Sequence, residues 1–311
     1  MKDLKYNSIL FLLLGCILWV SCDKSEELTV YSTSGATTEL GRKVIEGSNG
    51  YVGQLFSDSA YTVSNGVKAL EMKILSNTGL AVKLFIFEID LKTPGLTMKA
   101  SAPNNENKLG VKQKMTLQAS AFDKPDSRVL AAVNADFFTT ANTVQGIYYR
   151  DGVSLKSTMT DKVCTFFAIT KDGKPVIGSY DDYPTYKDDI QEAVGGRVRL
   201  LTNGNILPQT TDALEPRTAI GVAANNLVYI LVADGRNFWY SNGMSYTQMG
   251  NVMKALGAQN AINLDGGGSS TFIIRNTPGF EEGRFEIRNW PYDNGGVERQ
   301  VVNGLLVVTD N

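Results

Sequence analysis

From Val67 onward, the chain consists of alternating or continuous apolar runs that are rich in β-branched and aromatic residues. Turn signals separate these runs, a pattern typical of β-strands. Ten strands are predicted, at 67–75, 81–91, 128–133, 165–170, 174–178, 218–223, 227–233, 261–264, 271–275 and 302–308. Asp-Gly, Asn-Gly and Asn-Asn turns join several of them and favour hairpins. Much of the sheet is therefore expected to be antiparallel.

Helical periodicity is less common along the chain. The clearest case is residues 245–257, where apolar residues recur at i, i+3, i+4 and i+7, with Ser245 placed to cap the helix and Gly257 placed to end it. Shorter helices are predicted at 116–122 and 189–194. Many strands and few helices in mixed order predict an α+β fold of mixed, largely antiparallel sheets packed with a few helices.

The first residues have the pattern of an export signal. Two lysines precede an apolar run of 12 residues, from Ile9 to Val20. This run is short of the roughly 20 residues that a spanning helix needs, so residues 1–21 are predicted to be a signal peptide. Cys22 follows in the position of the lipidated cysteine of a relaxed bacterial lipobox. The alternative is an ordinary signal peptide followed by a coincidental cysteine.

This N-terminal pattern predicts an exported lipoprotein of a Gram-negative bacterium, held at the outer membrane by a lipid on Cys22. Either the periplasmic face or the cell surface fits this prediction. Residues 22–66, rich in Ser, Thr, Gly and Asn, lack sustained periodicity and are predicted to be a tether and accessory segment. Residues 67–311 are predicted to form the main domain.

Cysteine use excludes an internal disulfide in the predicted mature chain. Of the three cysteines, one lies in the signal peptide and Cys22 would carry lipid, which leaves Cys164 alone. Cys164 lies in an apolar, strand-like run with no neighbouring base or cation cluster. A buried, inert thiol is therefore expected there.

Composition mainly excludes functions. The 311 residues include no histidine, so a Ser-His-Asp triad, a Cys-His dyad, a His-ligated zinc and a proximal-His haem are all excluded. Acid-base chemistry must come from carboxylates, Lys, Tyr, Arg-perturbed groups or water. The formal net charge is −2, and no cluster of Lys and Arg interleaved with aromatic residues indicates a nucleic-acid partner.

The densest candidate for chemistry is residues 263–271, with the sequence NLDGGGSST. A strand ends at Asp265, three glycines follow, and three hydroxyl residues lead into the next strand. Glycines let backbone amides approach a ligand, so this loop is predicted to form an anion-binding nest. The residues placed there for substrate or phosphate binding are Asn263, Gly266, Gly267, Gly268, Ser269, Ser270 and Thr271.

Two more strands end in or near a carboxylate. Asp234 follows the run 227–233, and Asp136 lies beyond 128–133, two residues after Asn134. Three strands could thus bring carboxylates together, as acid-base or glycosidase chemistry requires. A hydrogen-bonded turn residue is the alternative for each aspartate taken alone. Glu88, on an early strand, is a further candidate.

Arg217 and Arg236 are the best basic candidates, because a guanidinium matches phosphate oxygens with two parallel hydrogen bonds. The alternative for each is a surface ion pair. Arg217 follows Pro216 at the start of the strand at 218–223, and Arg236 follows Asp234-Gly.

Taken together, these segments resemble the phosphodiester glycosidase family, some of whose bacterial members are labelled exopolysaccharide-related. The segments that match run in consistent order from about residue 80 to 309: NADFF at 134–138, Gly146, PRTAIG at 216–221, DGR at 234–236, LGA at 256–258, NLDGGGSST at 263–271 and Glu298-Arg299. Family members commonly carry small, glycine-type residues at Ala135-Asp136. Asp136 is therefore a weaker candidate for a catalytic residue than Asp234 or Asp265.

The resemblance implies that residues 67–311 form a domain of this family that cleaves a sugar 1-phosphodiester into free sugar and a phosphomonoester. Its partner would be a phosphorylated glycan or another sugar phosphodiester. Asp265 and Asp234 would be the principal carboxylates, and Arg217 with the glycine loop would stabilise the departing phosphate.

Three alternatives keep parts of this interpretation. The chain could be a lipoprotein that binds phosphoglycans without turnover, or a structural envelope protein. It could also be a metal-dependent phosphodiesterase in which Asp136, Asp234 and Asp265 hold Ca²⁺ or Mg²⁺. The preferred interpretation requires no cofactor.

Overall fold

The computed structural model describes residues 35–275 and 285–310. The predicted signal peptide and Cys22 lie outside these residues, so export and lipidation stay predictions. The described α-helices are α1 (Glu39–Gly47), α2 (Met115–Phe122), α3 (Tyr183–Tyr186) and α4 (Tyr246–Leu256).

The described strands are numbered in chain order. The first ten are β1 (Val52–Ser64), β2 (Val67–Ser76), β3 (Ala81–Asp90), β4 (Leu96–Ala100), β5 (Gln113–Lys114), β6 (Ser127–Asn134), β7 (Tyr148–Arg150), β8 (Val153–Lys156), β9 (Thr165–Thr170) and β10 (Pro175–Ser179). The others are β11 (Ile190–Gly196), β12 (Arg199–Thr202), β13 (Asn205–Ile206), β14 (Arg217–Ala223), β15 (Leu227–Ala233), β16 (Ala258–Leu264), β17 (Phe272–Arg275), β18 (Phe285–Ile287), β19 (Gln300–Val301) and β20 (Gly304–Asp310).

The strands form one large sheet, two smaller sheets and a two-stranded ribbon. The large sheet has the order β1-β2-β3-β15-β14-β16-β12-β13, and the five-stranded sheets have the orders β18-β17-β6-β20-β4 and β10-β9-β11-β7-β8. The described pairings are antiparallel, including the hairpins β9–β10 and β14–β15 between predicted strands and the hairpin β12–β13 at an Asn-Gly turn. The α+β prediction is confirmed.

The main core lies between the large sheet and the sheet that contains β6. Side chains from one face of β3 and β15 pack there against β6, β17 and β20, with Phe87 stacked on Phe272 at 3.7 Å between ring centroids. The opposite face of the large sheet is covered by α1 and α4. The outer face of the β6 sheet packs against α2. Because β15 is buried on both faces, it reads as an unbroken apolar run.

Helix α4 confirms its sequence prediction. The Ser245 hydroxyl accepts a hydrogen bond from the Gln248 amide, and the Gln248 side chain accepts one from the Ser245 amide, which completes a capping box. Gly257 ends the helix in the left-handed region, at φ 101°. The apolar face that carries Met249 and Met253 is buried against the large sheet. The helix predicted at 116–122 is confirmed as α2.

The helix predicted at 189–194 is wrong, because these residues lie mostly in strand β11. Strand β11 pairs with β9 on one side and β7 on the other. Its backbone groups are therefore satisfied between two neighbours, and Gly195 and Gly196 at its end disfavour a helix. Tertiary pairing decides the conformation of this short segment.

Part of the segment 22–66, predicted to be a tether and accessory segment, has regular secondary structure. Within 22–66, residues 39–47 form α1 and residues 52–64 form β1, which pairs along its length with β2. Much of β1 is partly or fully exposed, and several of its positions carry Ser or Thr. The sequence there lacks the apolar alternation from which a strand is predicted. The Asp58 carboxylate accepts hydrogen bonds from the amides of Thr37 and Thr38, at 3.0 and 2.7 Å, which ties the start of α1 to β1.

Cys164 is buried, as predicted, and is a free thiol. Burial raises the pKa of the Cys164 thiol, which disfavours the reactive thiolate. In the part of the chain that the structure describes, no helix has the length and apolar character needed to cross a membrane.

Gly146 and Gly195 pass so close to each other that neither position leaves room for a side chain. A Cβ on Gly195 would lie 2.5 Å from the Gly146 Cα and 2.6 Å from the Asp136 carboxylate. We expect Gly195→Ala to lower the free energy of unfolding by about 1–3 kcal/mol through overpacking, measured by urea denaturation. The control is Gly35→Ala, where a Cβ meets nothing within 4 Å. Equal stability of the two variants would contradict this packing.

Candidate active site

Antiparallel pairing brings the ends of several strands to one edge of the large sheet. Strand β14 begins where β15 and β16 end, with Arg217 opposite Ala233 and Thr218 opposite Leu264. The residue after β16, Asp265, therefore lies beside the start of β14. The backbone amide of Asp265 also donates to the Ala135 carbonyl at 2.8 Å. The end of β6 is thereby joined to the same edge.

An open pocket of about 440 Å³ lies at this edge. Several of its residues are sequence-predicted: Asp265, Arg217, Arg236, Gly266, Gly267 and Gly268. Sequence reasoning missed the others, Phe137, Ala213, Glu215 and Arg299. Glu215 and Arg299 could have been predicted as site residues, because each lies in or beside a segment that carries the family resemblance.

Asp265 is the one predicted catalytic carboxylate among the residues that line this pocket. Its Oδ1 accepts a hydrogen bond from the Gly266 amide at 2.9 Å. Burial raises the pKa of Asp265 to about 6, although the Ser269 hydroxyl, the Gly266 amide and the charge of Arg299 oppose the rise. A carboxyl group with this pKa changes its charge close to neutral pH, as acid-base chemistry requires.

Three arginines surround the pocket, each held differently. The Arg217 guanidinium donates to neutral oxygens, the carbonyls of Met244 and Ala213 and the Tyr246 hydroxyl, at 2.9–3.2 Å. It also lies 4.1 Å from the centre of the Tyr246 ring. These contacts fix the orientation of Arg217 without neutralising its charge.

The other two arginines form ion pairs. Arg236 Nε donates to Glu215 at 2.6 Å. Arg299 pairs with Asp293 and also donates to the Ser269 hydroxyl at 3.4 Å. Asp293, also missed from the sequence, is thereby held next to the glycine loop. A Cβ on Gly268 would overlap its carboxylate.

Several backbone amides of the glycine loop, which is predicted to form an anion nest, have acceptors within the protein. The amide of Gly267 donates to the Pro216 carbonyl at 2.8 Å, and the amides of Ser269 and Ser270 donate to Gly266 and Gly267. These amides are thus occupied within the protein. Glycine is needed here for close approach, because a Cβ on Gly266 would lie 2.6 Å from the Pro216 carbonyl oxygen.

The predicted amide and hydroxyl ligands are buried supports of the loop. Asn134 donates to the Asp265 carbonyl at 2.6 Å, and its Oδ1 accepts from the Thr218 hydroxyl and the Thr271 amide. The hydroxyl of Ser270 lies 3.3 Å from that of Thr218. These polar groups hold strand ends and the loop together.

Three further predicted ligands are also buried, with partners in the protein. The Asn263 side chain accepts from the Val198 amide at 2.5 Å and donates to the Leu264 carbonyl. The Thr271 hydroxyl donates to the Ser269 carbonyl at 2.9 Å. Ser269 is the member of this group in contact with a pocket residue, through Arg299.

Asp234 is not among the residues that line the pocket. Its carboxylate is 1% exposed and accepts from the Asn289 side chain at 2.9 Å, the Trp290 amide at 2.8 Å and the Tyr240 hydroxyl at 3.1 Å. Burial raises the pKa of Asp234. Through these hydrogen bonds, Asp234 holds the segments 237–241 and 289–293 together.

Asp136 is also buried outside the pocket lining. Its carboxylate accepts from the amides of Gly146 and Gly195, at 3.1 and 2.7 Å. Burial raises the pKa of Asp136 to about 6, but its oxygens face the close crossing of two glycines. The arrangement fits a positioning role.

Glu88 lies on β3, away from this pocket. Its carboxylate contacts Lys68 at 3.0 Å and accepts from the Tyr229 hydroxyl at 3.1 Å. Glu88 thus forms a side-chain network on the large sheet.

The acidic residues do not fit the metal-dependent alternative. Asp136, Asp234 and Asp265 have the separate partners given above. Across residues 35–275 and 285–310, no group of three or more Asp, Glu and Cys side chains is arranged to hold a metal ion.

A family model described as phosphodiester glycosidase matches residues 127–308. The chain belongs to the phosphodiester glycosidase family. The matched region contains every residue of the pocket described above. Membership identifies the chain with a family of hydrolases.

Individual relatives agree with this assignment. The mouse N-acetylglucosamine-1-phosphodiester alpha-N-acetylglucosaminidase is 29% identical over 131 residues, covering 36% of this chain and 25% of the mouse protein. An uncharacterised prophage-derived protein of Bacillus subtilis is 25% identical over 290 residues, covering 87% of this chain and 40% of that one. The chain thus matches about a quarter of the length of the mouse relative.

Solved structures share the fold. The zebrafish N-acetylglucosamine-1-phosphodiester alpha-N-acetylglucosaminidase catalytic domain superimposes with a TM-score of 0.61 at 19% identity, covering 82% of this chain and 88% of that one. A hypothetical protein from Synechocystis gives a TM-score of 0.54 at 13% identity, covering 79% and 62%. At these identities the likeness concerns the fold.

The role of Asp234 can be tested through stability. We expect Asp234→Ala to lower the free energy of unfolding by about 2–4 kcal/mol, because the buried Asn289 side chain and two partly buried donors lose their acceptor. Chemical denaturation followed by circular dichroism measures this loss, and Ala at the exposed Asp181 is the control. An unchanged stability together with lost activity would instead give Asp234 a catalytic role.

Proposed function

We propose that this phosphodiester glycosidase family member hydrolyses the glycosyl bond of a sugar 1-phosphodiester, releasing free sugar and a phosphomonoester. The observation that carries the proposal is one carboxyl group with a pKa of about 6 in a pocket that three arginines line. That combination suits a substrate with an anionic leaving group next to a glycosyl carbon.

The arginines supply the recognition of phosphate. Arg236 and Arg299 each pair with a carboxylate, Glu215 and Asp293, whereas the described hydrogen-bond acceptors of Arg217 are neutral. Arg217 therefore brings unpaired positive charge to the pocket. A phosphodiester carries a single negative charge near neutral pH, and its oxygens match a guanidinium fork.

Asp265 acts in its ionised form in this proposal. A phosphate leaving group is weakly basic, so it needs little help from a general acid. The larger requirement is to activate water or to stabilise positive charge on the sugar as the bond breaks, and a carboxylate does either. The bond from the anomeric carbon to oxygen breaks, the phosphate departs with the electron pair, and water adds to the anomeric carbon and gives up one proton to the Asp265 carboxylate.

A second carboxylate for this chemistry is Glu215 in our proposal. It lines the same pocket as Asp265 and is bound to Arg236 at 2.6 Å. Asp234, the partner expected from the sequence, instead accepts hydrogen bonds from three groups of the protein. Movement of Arg236 toward a bound phosphate would release Glu215.

Substitution of Asp265 provides the direct test. We expect Asp265→Asn to lower kcat on a cleavable sugar 1-phosphodiester by at least about 100-fold, the lower end of the usual range for acid-base groups. A panel of such diesters with different sugars and anomers is incubated with the protein, and the products are identified by ³¹P NMR and sugar analysis. The control Glu88→Gln lies outside the pocket and should keep kcat within about twofold.

The products show whether the glycosyl bond or the other phosphoester bond is cleaved. Free sugar with a phosphomonoester supports the proposal. Sugar 1-phosphate with a free alcohol would show phosphodiesterase cleavage and contradict it, as would full activity of Asp265→Asn.

The pH profile gives a second test. Since ionised Asp265 is the active form, kcat/KM should rise with pH around a midpoint near the Asp265 pKa of about 6. The charge of Arg299 lowers this pKa. Arg299→Gln should therefore move the midpoint to higher pH, while Arg299→Lys, which keeps the charge, should move it less. A rate that falls through pH 6 in the unmodified protein would overturn the assignment of Asp265 as the base.

A further inference from the structure

Two loops beside the pocket expose large aromatic side chains. Trp239 is 88% exposed and Phe238 63%, on the segment that follows Arg236. Trp290 is 51% exposed and Tyr292 45%, on a second segment. We call these four residues the aromatic rim. Neighbouring exposed apolar groups, such as the adjacent rings of Phe238 and Trp239, are typical of interaction surfaces.

The structure holds both loops against the pocket. The Asp234 carboxylate joins them, since its Oδ2 accepts from the Tyr240 hydroxyl of one loop and from the Trp290 amide of the other. Trp239 is three residues from the pocket residue Arg236, which limits the separation of their Cα atoms to about 11 Å. The second loop reaches the pocket through Asp293, the partner of Arg299.

Each ring of the rim has a close neighbour in the structure. A Cβ on Gly296 would lie 2.9 Å from the Trp290 indole, so the backbone of Gly296 approaches that ring closely. The Arg236 guanidinium lies 5.7 Å from the centre of the Tyr292 ring. Phe238 and Trp239 meet edge to face at 5.0 Å between centroids.

We propose that the aromatic rim binds sugar rings of the glycan that carries the phosphodiester, as a binding subsite next to the cleavage pocket. The apolar C–H face of a pyranose packs on an aromatic ring, and the sugar hydroxyls remain available to polar groups nearby. Trp and Tyr suit this contact because each combines a large apolar face with a polar edge. The inference rests on the proposed function, since it names the part of the substrate beyond the phosphate.

The residues of the loops favour a glycan over a lipid surface. Residues 236–243 read RNFWYSNG and residues 289–293 read NWPYD. Neither segment contains Leu, Ile, Val or Met, which an acyl or polyprenyl chain would contact. Aromatic rings interspersed with amides, hydroxyls and an arginine match the alternating apolar and polar surface of a saccharide.

Tryptophan fluorescence can report binding without turnover. The chain has three tryptophans, and two of them, Trp239 and Trp290, lie in the rim. Full-length Asp265→Asn protein is titrated with neutral tetrasaccharides of glucose, mannose and N-acetylglucosamine, and separately with vesicles of phosphatidylglycerol and phosphatidylethanolamine. We expect a saturable fluorescence change with at least one tetrasaccharide.

Rim variants lack one of the reporting tryptophans, so their binding of the same sugar is measured by calorimetry instead of fluorescence. Trp239→Ala and Trp290→Ala should each weaken binding at least tenfold. Phe56→Ala, at an exposed aromatic residue on β1 that is 50% exposed, should leave it unchanged. Saturable binding of none of the tetrasaccharides overturns the proposal, and a response to vesicles alone would identify a lipid surface instead.

A kinetic comparison separates this inference from the proposed function. On a sugar 1-phosphodiester with a methyl group as its other ester, Trp239→Ala should keep kcat/KM within about twofold. On the corresponding diester of an oligosaccharide, the same variant should raise KM at least tenfold with little change in kcat. Equal losses on both substrates contradict the subsite. If the unmodified protein binds the sugar but cleaves neither diester, the proposed function fails while the rim still binds glycan.

Discussion

The geometry of the pocket depends on one buried amide side chain, that of Asn134. Its Nδ2 donates to the Asp265 carbonyl, and its Oδ1 accepts from Thr218 and Thr271. Asn134 ends a strand of one sheet, while Thr218 and Asp265 belong to the strand ends of the other. Because a buried amide is costly unless both its donor and its acceptor are satisfied, Asn134 favours this arrangement of the two sheets and the glycine loop.

Three buried or half-buried aspartates show why an altered pKa does not by itself identify a reactive group. Burial raises the pKa of Asp136, Asp234 and Asp265. The oxygens of Asp136 and Asp234 point at amide and hydroxyl donors inside the protein, whereas Asp265 borders an open pocket. A group must have both an adjusted proton affinity and access to a substrate before it can take part in chemistry.

Much of the fold followed from local patterns. Helix α4 has a capping box and a buried apolar face, and the hairpins carry Gly or Asn turns, so their structure is encoded within a dozen residues. Residues 190–196 needed two distant strands as neighbours to become β11. The exposed strand β1 has no apolar alternation that could reveal it. Pairing partners far away in sequence determine such segments.

The site was predicted less completely, for a related reason. Asn263 and Asp265 are two residues apart, as are Asn134 and Asp136, so strand alternation alone would place each pair on one face. Each aspartate lies just beyond the strand end, where alternation no longer applies, and each side chain turns to different partners. Arg299 reaches the pocket from near the last strand. Its contribution depends on the tertiary contact with Ser269 and Asp293 rather than on its own sequence context.

The link that Asp234 forms has an evolutionary consequence. The Asp234 carboxylate binds one residue of each aromatic loop, Tyr240 and Trp290. The rings of Phe238 and Trp239 are exposed to solvent. Substitutions at the exposed rings of Phe238 and Trp239 can therefore leave the strand ends that carry Asp265 and Arg217 undisturbed. The surface beside the pocket can vary in sequence while the pocket keeps its geometry.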